Sequence, residues 1–303
     1  METMHALKTE SGKRNDRLVH LNDAELKKLQ QELLGILRDF VSVCDKYGIT
    51  YTLGGGSVLG AVRHHGFIPW DDDIDTNVTR EGFARLREVF DKELGDRYIL
   101  CAPEIGNGHG VAHAQIKKKG TVFRSFNELY KPASQAGIAI DVFVGENMFR
   151  NRILRTLHGA VCLGMGFALT CRKAVIDIRY IRRYYSPDSY VFRRYRKRAA
   201  VGRLLKWIPL DTLARMTVRC YALCRNDRSE YISFITGRKH FFGETFKRSE
   251  LFESVRMPFE DLEVCVPKGY KHYMTRLYGS DYMQVPPESE REHHPIMELR
   301  FEE

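Results

Sequence analysis

Between Asn22 and Tyr47 apolar residues recur at steps of three and four: Leu26, Leu29, Leu33, Leu37, Phe40, Cys44 and Tyr47. That spacing predicts an amphipathic helix. Asn22 and Glu25 have capping-box spacing at its start, and Gly48 is a natural stop. "ITYTL" then reads as a strand running into Gly54, Gly55 and Gly56, Ser57 to His64 as a short helix, and Gly66 to Trp70 as a loop. In "DIDTNV" the period falls to two: Ile74, Thr76 and Val78 alternate with Asp73, Asp75 and Asn77, a strand that places Asp73 and Asp75 on one face. A helix from about Arg80 to Leu94 follows, with Phe83, Leu86, Phe90 and Leu94 as its apolar stripe. "RYILCA", "VAHAQIK", "TVFRS" and "GIAIDVFV" are short strands. From Asn151 to Cys224 the pattern becomes long helical segments dense in Arg and Tyr. "VRMPFEDLEVCVPKGY" predicts a hairpin, followed by a helix to about Tyr278 and a Pro-containing tail.

This order predicts an α+β (α/β) fold, a mixed sheet flanked by helices. It divides the chain into a flexible leader (1–20), a core (21–150), a helical Arg/Tyr-rich insert (151–235) and a C-terminal hairpin, helix and tail (236–303) that complete the core. The 303 residues, 43% of them hydrophobic, suffice for a substantial interior. A net charge of +9 favours a polyanionic partner, whether nucleic acid, nucleotide phosphates or an anionic membrane. The first twenty residues lack the apolar stretch of a signal peptide, and seven scattered cysteines fit reduced thiols better than a disulfide framework. Both point to a cytoplasmic protein. The uncharged stretch from Thr156 to Cys171 is too short to span a bilayer and reads as a buried or interfacial helix. Cys220 and Cys224 share a helix face, yet without two further ligands nearby in the sequence they predict no zinc site.

The candidate chemistry lies in "GGGSVLGAVRHHGFIPWDDDID". Two aspartates two apart on a strand would repel each other, a conflict that a hard divalent cation removes. A solvated acidic turn is the plainer reading of such a pair. Asp141 shifts the balance, because it is a lone carboxylate in the apolar strand "GIAIDVFV", where an unpaired charge is costly. Beside "DIDTNV" it would complete a three-carboxylate cluster for Mg2+ or Mn2+. Gly55, Gly56 and Ser57, at a helix start, can bring backbone amides to phosphate oxygens. A tight structural turn explains the glycines alone; strand, glycine turn, helix and acidic strand in sequence suggest a phosphate-and-metal site.

"LGGGSVLGAVRHHGFIPWDDDID" closely resembles the signature of the LicD family, which includes bacterial phosphocholine transferases and fukutin-related proteins and has a nucleotidyltransferase-like fold. "IAIDVF" resembles its later Asp-bearing strand, and "FEDLEVCVPKGYKHYMTRLYGSDYMQVPPESEREHH" its C-terminal hallmark. The likeness covers about residues 22–145 and 259–294 and leaves the Arg-rich middle unmatched. The separation of Ser57 from Asp73 exceeds the general nucleotidyltransferase pattern but suits the family. By this resemblance Asp73, Asp75 and Asp141 would be metal carboxylates, Gly55, Gly56 and Ser57 the phosphate turn, and Arg63 and His64 the basic pair after it. The reaction implied is transfer of an alcohol phosphate, such as phosphocholine, from a CDP-alcohol to a hydroxyl of a glycan or lipid-linked glycan, with release of CMP. Asp141 would either bind metal or accept the hydroxyl proton.

Other residues keep two readings. Arg63 is a phosphate fork or a structural salt bridge; His64 and His65 are a donor and a packing residue in either order, the resemblance favouring His64. Arg291, His293 and His294 fold over a nucleotide or end in solvent. Trp70 anchors its loop or stacks on a base or ammonium group, while Tyr278, Gly279 and Tyr282 read as packing and turn residues. "RKAVIDIRYIRRYYSPDSYVFRRYRKR" is a solvated face, a nucleic-acid surface or a patch for anionic lipid. The uncharged stretch beside it favours lipid at the inner membrane surface, and no nucleic-acid partner is expected. Two rival functions stand: a glycosyltransferase holding a nucleotide sugar through its D-x-D, and a non-catalytic basic membrane- or RNA-binding protein.

Overall fold

The computed structural model describes residues 18–108, 110–125, 128, 130–132, 135–291 and 294–302; most of the leader, residues 1–17, lies outside them. α1 (Asp23–Tyr47) has both capping-box bonds between Asn22 and Glu25, and Gly48 closes it at φ 63°. β1 (Tyr51–Leu53) leads into α2 (Gly55–His64), which begins two residues earlier than the sequence predicts. β2 is Asp75–Thr79 and α3 Arg80–Glu93. Asp73 therefore precedes the strand instead of sharing its face with Asp75. Then come β3 (Tyr98–Cys101), β4 (Ala114–Lys118), β5 (Val122–Arg124) and β6 (Ala139–Asn147).

The sheet is mixed, in the order β1-β2-β6-β4-β3. β2 and β6 run parallel, and the other pairs along this path are antiparallel. Ile116, Ile140, Val142 and Val78 point to one side, into a core shared with Leu33, Phe40, Phe83 and Leu86 of α1 and α3. Phe40 meets Tyr51 edge-on at 5.3 Å. Alternation sends Asp75, Asn77, Asp141 and Gln115 to the opposite face.

The middle segment holds α4 (Arg152–Ile181), α5 (Tyr190–Gly202) and α6 (Leu210–Tyr221). Its Arg/Tyr-rich stretch is amphipathic: Phe192, Tyr195 and Ala199 are buried with Ile181 and Tyr185, while Arg193, Arg196 and Lys197 face outward. The segment is not helical to its end, since β7 (Tyr231–Ser233) joins the sheet against the end of β6 and pairs with β8 (Thr245–Lys247). The short α7 (His240–Gly243) lies between these strands, and α8 (Arg248–Phe252) follows them. The hairpin β9 (Ser254–Phe259) and β10 (Leu262–Pro267) and the helix α9 (Tyr270–Tyr278) form where predicted. The tail returns across the molecule, with β11 (Glu298–Arg300) pairing with β5. Val19 bridges to Ile296, and Leu18 is buried beside Met297. The end of the leader segment is thus packed, not free.

Candidate active site

The parallel register of β2 and β6 sets Asp75 directly beside Asp141, and β4 sets Gln115 on the other side of Asp141. In-register residues share a face, so the three side chains form one row. The Gln115 amide donates to Asp141 Oδ1 at 2.8 Å, and His113 Nε2 lies 3.6 Å from the same oxygen. Removal from water raises the Asp141 carboxyl, but His113 and Gln115 outweigh it and hold the group below its ordinary range. His113 is oriented by Phe143, 5.2 Å away. Neither His113 nor Gln115 carried a signal in the sequence, because what selects them is pairing across strands.

The glycine turn leans on this row. A Cβ on Gly55 would lie 2.3 Å from Asp75 Oδ2, and one on Gly56 would lie 3.0 Å from Asp71 Oδ2. The glycines therefore let the carboxylates approach the backbone. Gly55 N–H donates to the Tyr273 hydroxyl at 3.1 Å, and Asp75 N–H donates to Ser57 Oγ at 2.9 Å. The Ser57 side chain is thus committed to joining α2 to β2. Backbone N–H groups of Gly56 and Ser57 remain part of the helix's first turn, where no intrahelical acceptor exists. Tyr278 sits over this turn beside Asp75, its phenol pushed well up by burial and by that carboxylate.

A second acidic group lies in the preceding loop. Asp72, Asp73 and His294 bring ligand atoms within 4.8 Å of one another, and His294 Nδ1 is 2.6 Å from Asp72 Oδ1 and 3.5 Å from Asp73 Oδ2. Asp73 therefore meets the tail histidine from the loop, and Asp75 stands in register with Asp141. Burial, with the neighbouring carboxylates of Asp73 and Asp72, holds Asp71 well above the ordinary carboxylate range. Asp71, Asp72 and Asp73 thus crowd negative charge into one loop. Carboxylate oxygens crowded in this way fit a hard divalent cation, with His294 as a neighbouring nitrogen donor.

Of the basic residues after the turn, Arg63 reaches the tail. Arg63 Nη1 donates to the carbonyls of Tyr282 and Gln284, both at 3.0 Å, and its Nε donates to His64 Nε2 at 2.9 Å. Among its described contacts, Arg63 is thus a tether and not a salt bridge. Burial first, then Arg63, lowers the pKa of His64, which lies 6.5 Å edge-on from Trp70. His65 ends α2 at φ 56°. Arg291 stacks over Trp70 at 4.3 Å and pairs with Glu288 at 3.4 Å, so the indole anchors the returning tail. His293 lies outside the described residues.

Away from this site, His158, Cys162 and Cys220 also bring ligand atoms within 4.8 Å. Folding supplies Cys220 with the two neighbours that its sequence surroundings lack, although Cys224 is not part of the group. Burial raises both thiols above their ordinary values.

Residues 48–143 match the family described as LicD/FKTN/FKRP, nucleotidyltransferase domain. Over 282 residues, 90% of this chain and 97% of the other, the protein is 28% identical to the lipopolysaccharide cholinephosphotransferase LicD of Haemophilus influenzae. It is also 40% identical over 58 residues to human ribitol 5-phosphate transferase FKRP, which covers 19% of this chain and 12% of that one.

Proposed function

From a chain that carries a LicD/FKTN/FKRP nucleotidyltransferase domain at residues 48–143, we propose a phosphotransferase that moves an alcohol phosphate from a CDP-alcohol to a hydroxyl of a cell-surface glycan precursor and releases CMP. Phosphocholine is the alcohol phosphate favoured by the similarity to the Haemophilus protein across nearly its whole length. The observation that carries the reading is the in-register pair Asp75 and Asp141 beside the Gly55–Ser57 turn.

Asp75 and Asp141 would hold Mg2+ or Mn2+, with Asp73 reaching it from the loop. When bound, the cation would neutralise charge on the donor diphosphate. The first-turn amides of α2 orient the phosphates at a helix N-terminus, where negative charge is favoured. Asp141, kept ionised by His113 and Gln115, either ligates the metal or takes the acceptor's proton as the new P–O bond forms and the bond to CMP breaks. Arg63, Trp70 and Arg291 hold the tail over the acidic loop. His294 orients Asp72 and Asp73. Chemistry of this kind depends chiefly on positioning and charge.

The test is CMP release from a panel of CDP-choline, CDP-ribitol and CDP-glycerol with glycan acceptors, beside UDP- and GDP-sugars. CMP should form with Mg2+, cease with a chelator, and fall by roughly 100-fold or more in Asp75→Asn and Asp141→Asn. Turnover of a nucleotide sugar in place of a CDP-alcohol would favour the glycosyltransferase reading.

A further inference from the structure

Between Thr156 and Cys171, α4 carries no Lys, Arg, Asp or Glu, a run of about 24 Å at helical rise. One side of this run is packed. His158, Gly159, Cys162 and Leu169 are buried, and His158 Nε2 meets the Cys220 carbonyl of α6 at 2.8 Å. The other side is open, with Leu157 59%, Val161 53% and Phe167 55% exposed, and Ile153, just before the run, 71% exposed. Leu154, Leu157, Val161 and Gly164 follow the three-and-four spacing of a single stripe. A surface helix of a globular protein turns charge to water on that side; this one turns aliphatic and aromatic side chains.

The stripe is prolonged by the turn after α5. Gly202 presses against the Cys171 carbonyl, which a Cβ there would approach to 1.9 Å, and Arg172 Nε holds the Ile208 carbonyl at 3.1 Å. Between these anchors the chain presents Leu204, 76% exposed, and Trp207, 79% exposed. The Trp207 indole N–H is already satisfied by the Leu204 carbonyl at 3.1 Å, so the ring can enter an apolar medium without losing a hydrogen bond. Arg152, Arg203, Lys206, Arg215 and Arg219 are exposed on the same segment. Residues 151–235 hold eighteen Lys and Arg against five Asp and Glu, an excess of thirteen that surpasses the +9 of the whole chain. The remainder of the protein is therefore net negative.

We propose that this face, α4 together with the Leu204–Trp207 turn, docks the protein on the surface of an anionic lipid bilayer. The apolar stripe and Trp207 enter the boundary between headgroups and acyl chains, and the basic side chains of the segment meet the lipid phosphates. α4 lies in the plane of the surface and does not cross it, because its other side packs on α5 and α6 and carries a buried ion pair of its own, Lys173–Asp177 at 2.6 Å. Charge selects the occupant: a second copy would bring the same basic excess against this face, whereas an anionic bilayer complements it.

Full-length protein is mixed at about 150 mM salt with vesicles of phosphatidylethanolamine and phosphatidylglycerol, or of phosphatidylcholine alone, and floated on a density gradient. Flotation with the anionic vesicles is expected to exceed that with phosphatidylcholine at least tenfold. Tryptophan emission should shift to the blue on binding, and Trp207→Phe should remove the shift, leaving Trp70 as the remaining indole. A Leu157→Glu, Val161→Glu double variant, both positions being exposed, should lose tenfold or more of the binding while keeping its melting temperature and its CMP release with a soluble acceptor. Equal flotation with both lipids, or flotation unchanged in the double variant, would overturn the proposal. So would a dimer in solution that the double variant breaks in the absence of vesicle binding.

Discussion

At the scale of single residues, Gly55 shows what the glycine run does. It sits at φ 42°, and an added Cβ would lie 2.3 Å from Asp75 Oδ2. Gly55→Ala is expected to cost about 1–2 kcal/mol in backbone strain and, by displacing Asp75, to reduce CMP formation by roughly 100-fold. Gly35→Ala, in α1 with nothing within 4 Å of the new Cβ, is the control and should raise the melting temperature slightly. Equal activity in the two variants would show that the Asp75 carboxylate does not depend on the bare backbone beside it. Asp75 and Asp141 were legible as candidates because a charge in an apolar strand demands a reason. His113, Gln115 and Tyr273 were not. A histidine, a glutamine and a tyrosine are unremarkable in sequence, and their partners come from other strands and helices.

At the scale of elements, helices and strands formed where periodicity, caps and glycine stops agreed, as in α1, α3 and the β9–β10 hairpin. The misreadings arose where local pattern was short. β7 and β8 have three residues each, too few for alternation to register, and they exist because the end of β6 offers them an edge. The link between them carries a testable group. Glu244 is buried, accepts from Lys239 N–H at 2.5 Å, and is pushed from its ordinary 4.5 up to about 7, chiefly by burial. A carboxyl raised in the folded state stabilises the fold below its unfolded pKa and loses that contribution as pH rises toward the folded value. Wild-type stability should therefore fall by on the order of 3 kcal/mol, relative to Glu244→Gln, between about pH 4.5 and pH 7. Melting curves of both proteins across that range check it, and parallel curves would mean that Glu244 titrates as an ordinary carboxyl.

At the scale of the whole molecule, the tail closes the structure. Arg63 grips it at Tyr282 and Gln284, Trp70 receives Arg291, His294 meets Asp72 and Asp73, and β11 fastens it to β5. In Arg63→Ala, amide exchange around residues 283–291 should quicken while the amides of β2 and β6 keep their protection. Unchanged exchange there would mean that Trp70 and β11 suffice to hold the strap. By itself the sequence determined the principal elements, the acidic strand after a glycine turn and the resemblance those residues carry, since each depends on neighbours within a few positions along one chain segment. Only the tertiary structure decided that Asp75 stands with Asp141 and Asp73 with His294, that Arg63 serves the tail, and that one side of α4 is left bare. Those outcomes depend on strand register and on which surfaces packing covers, and both arise from contacts between residues far apart in the chain.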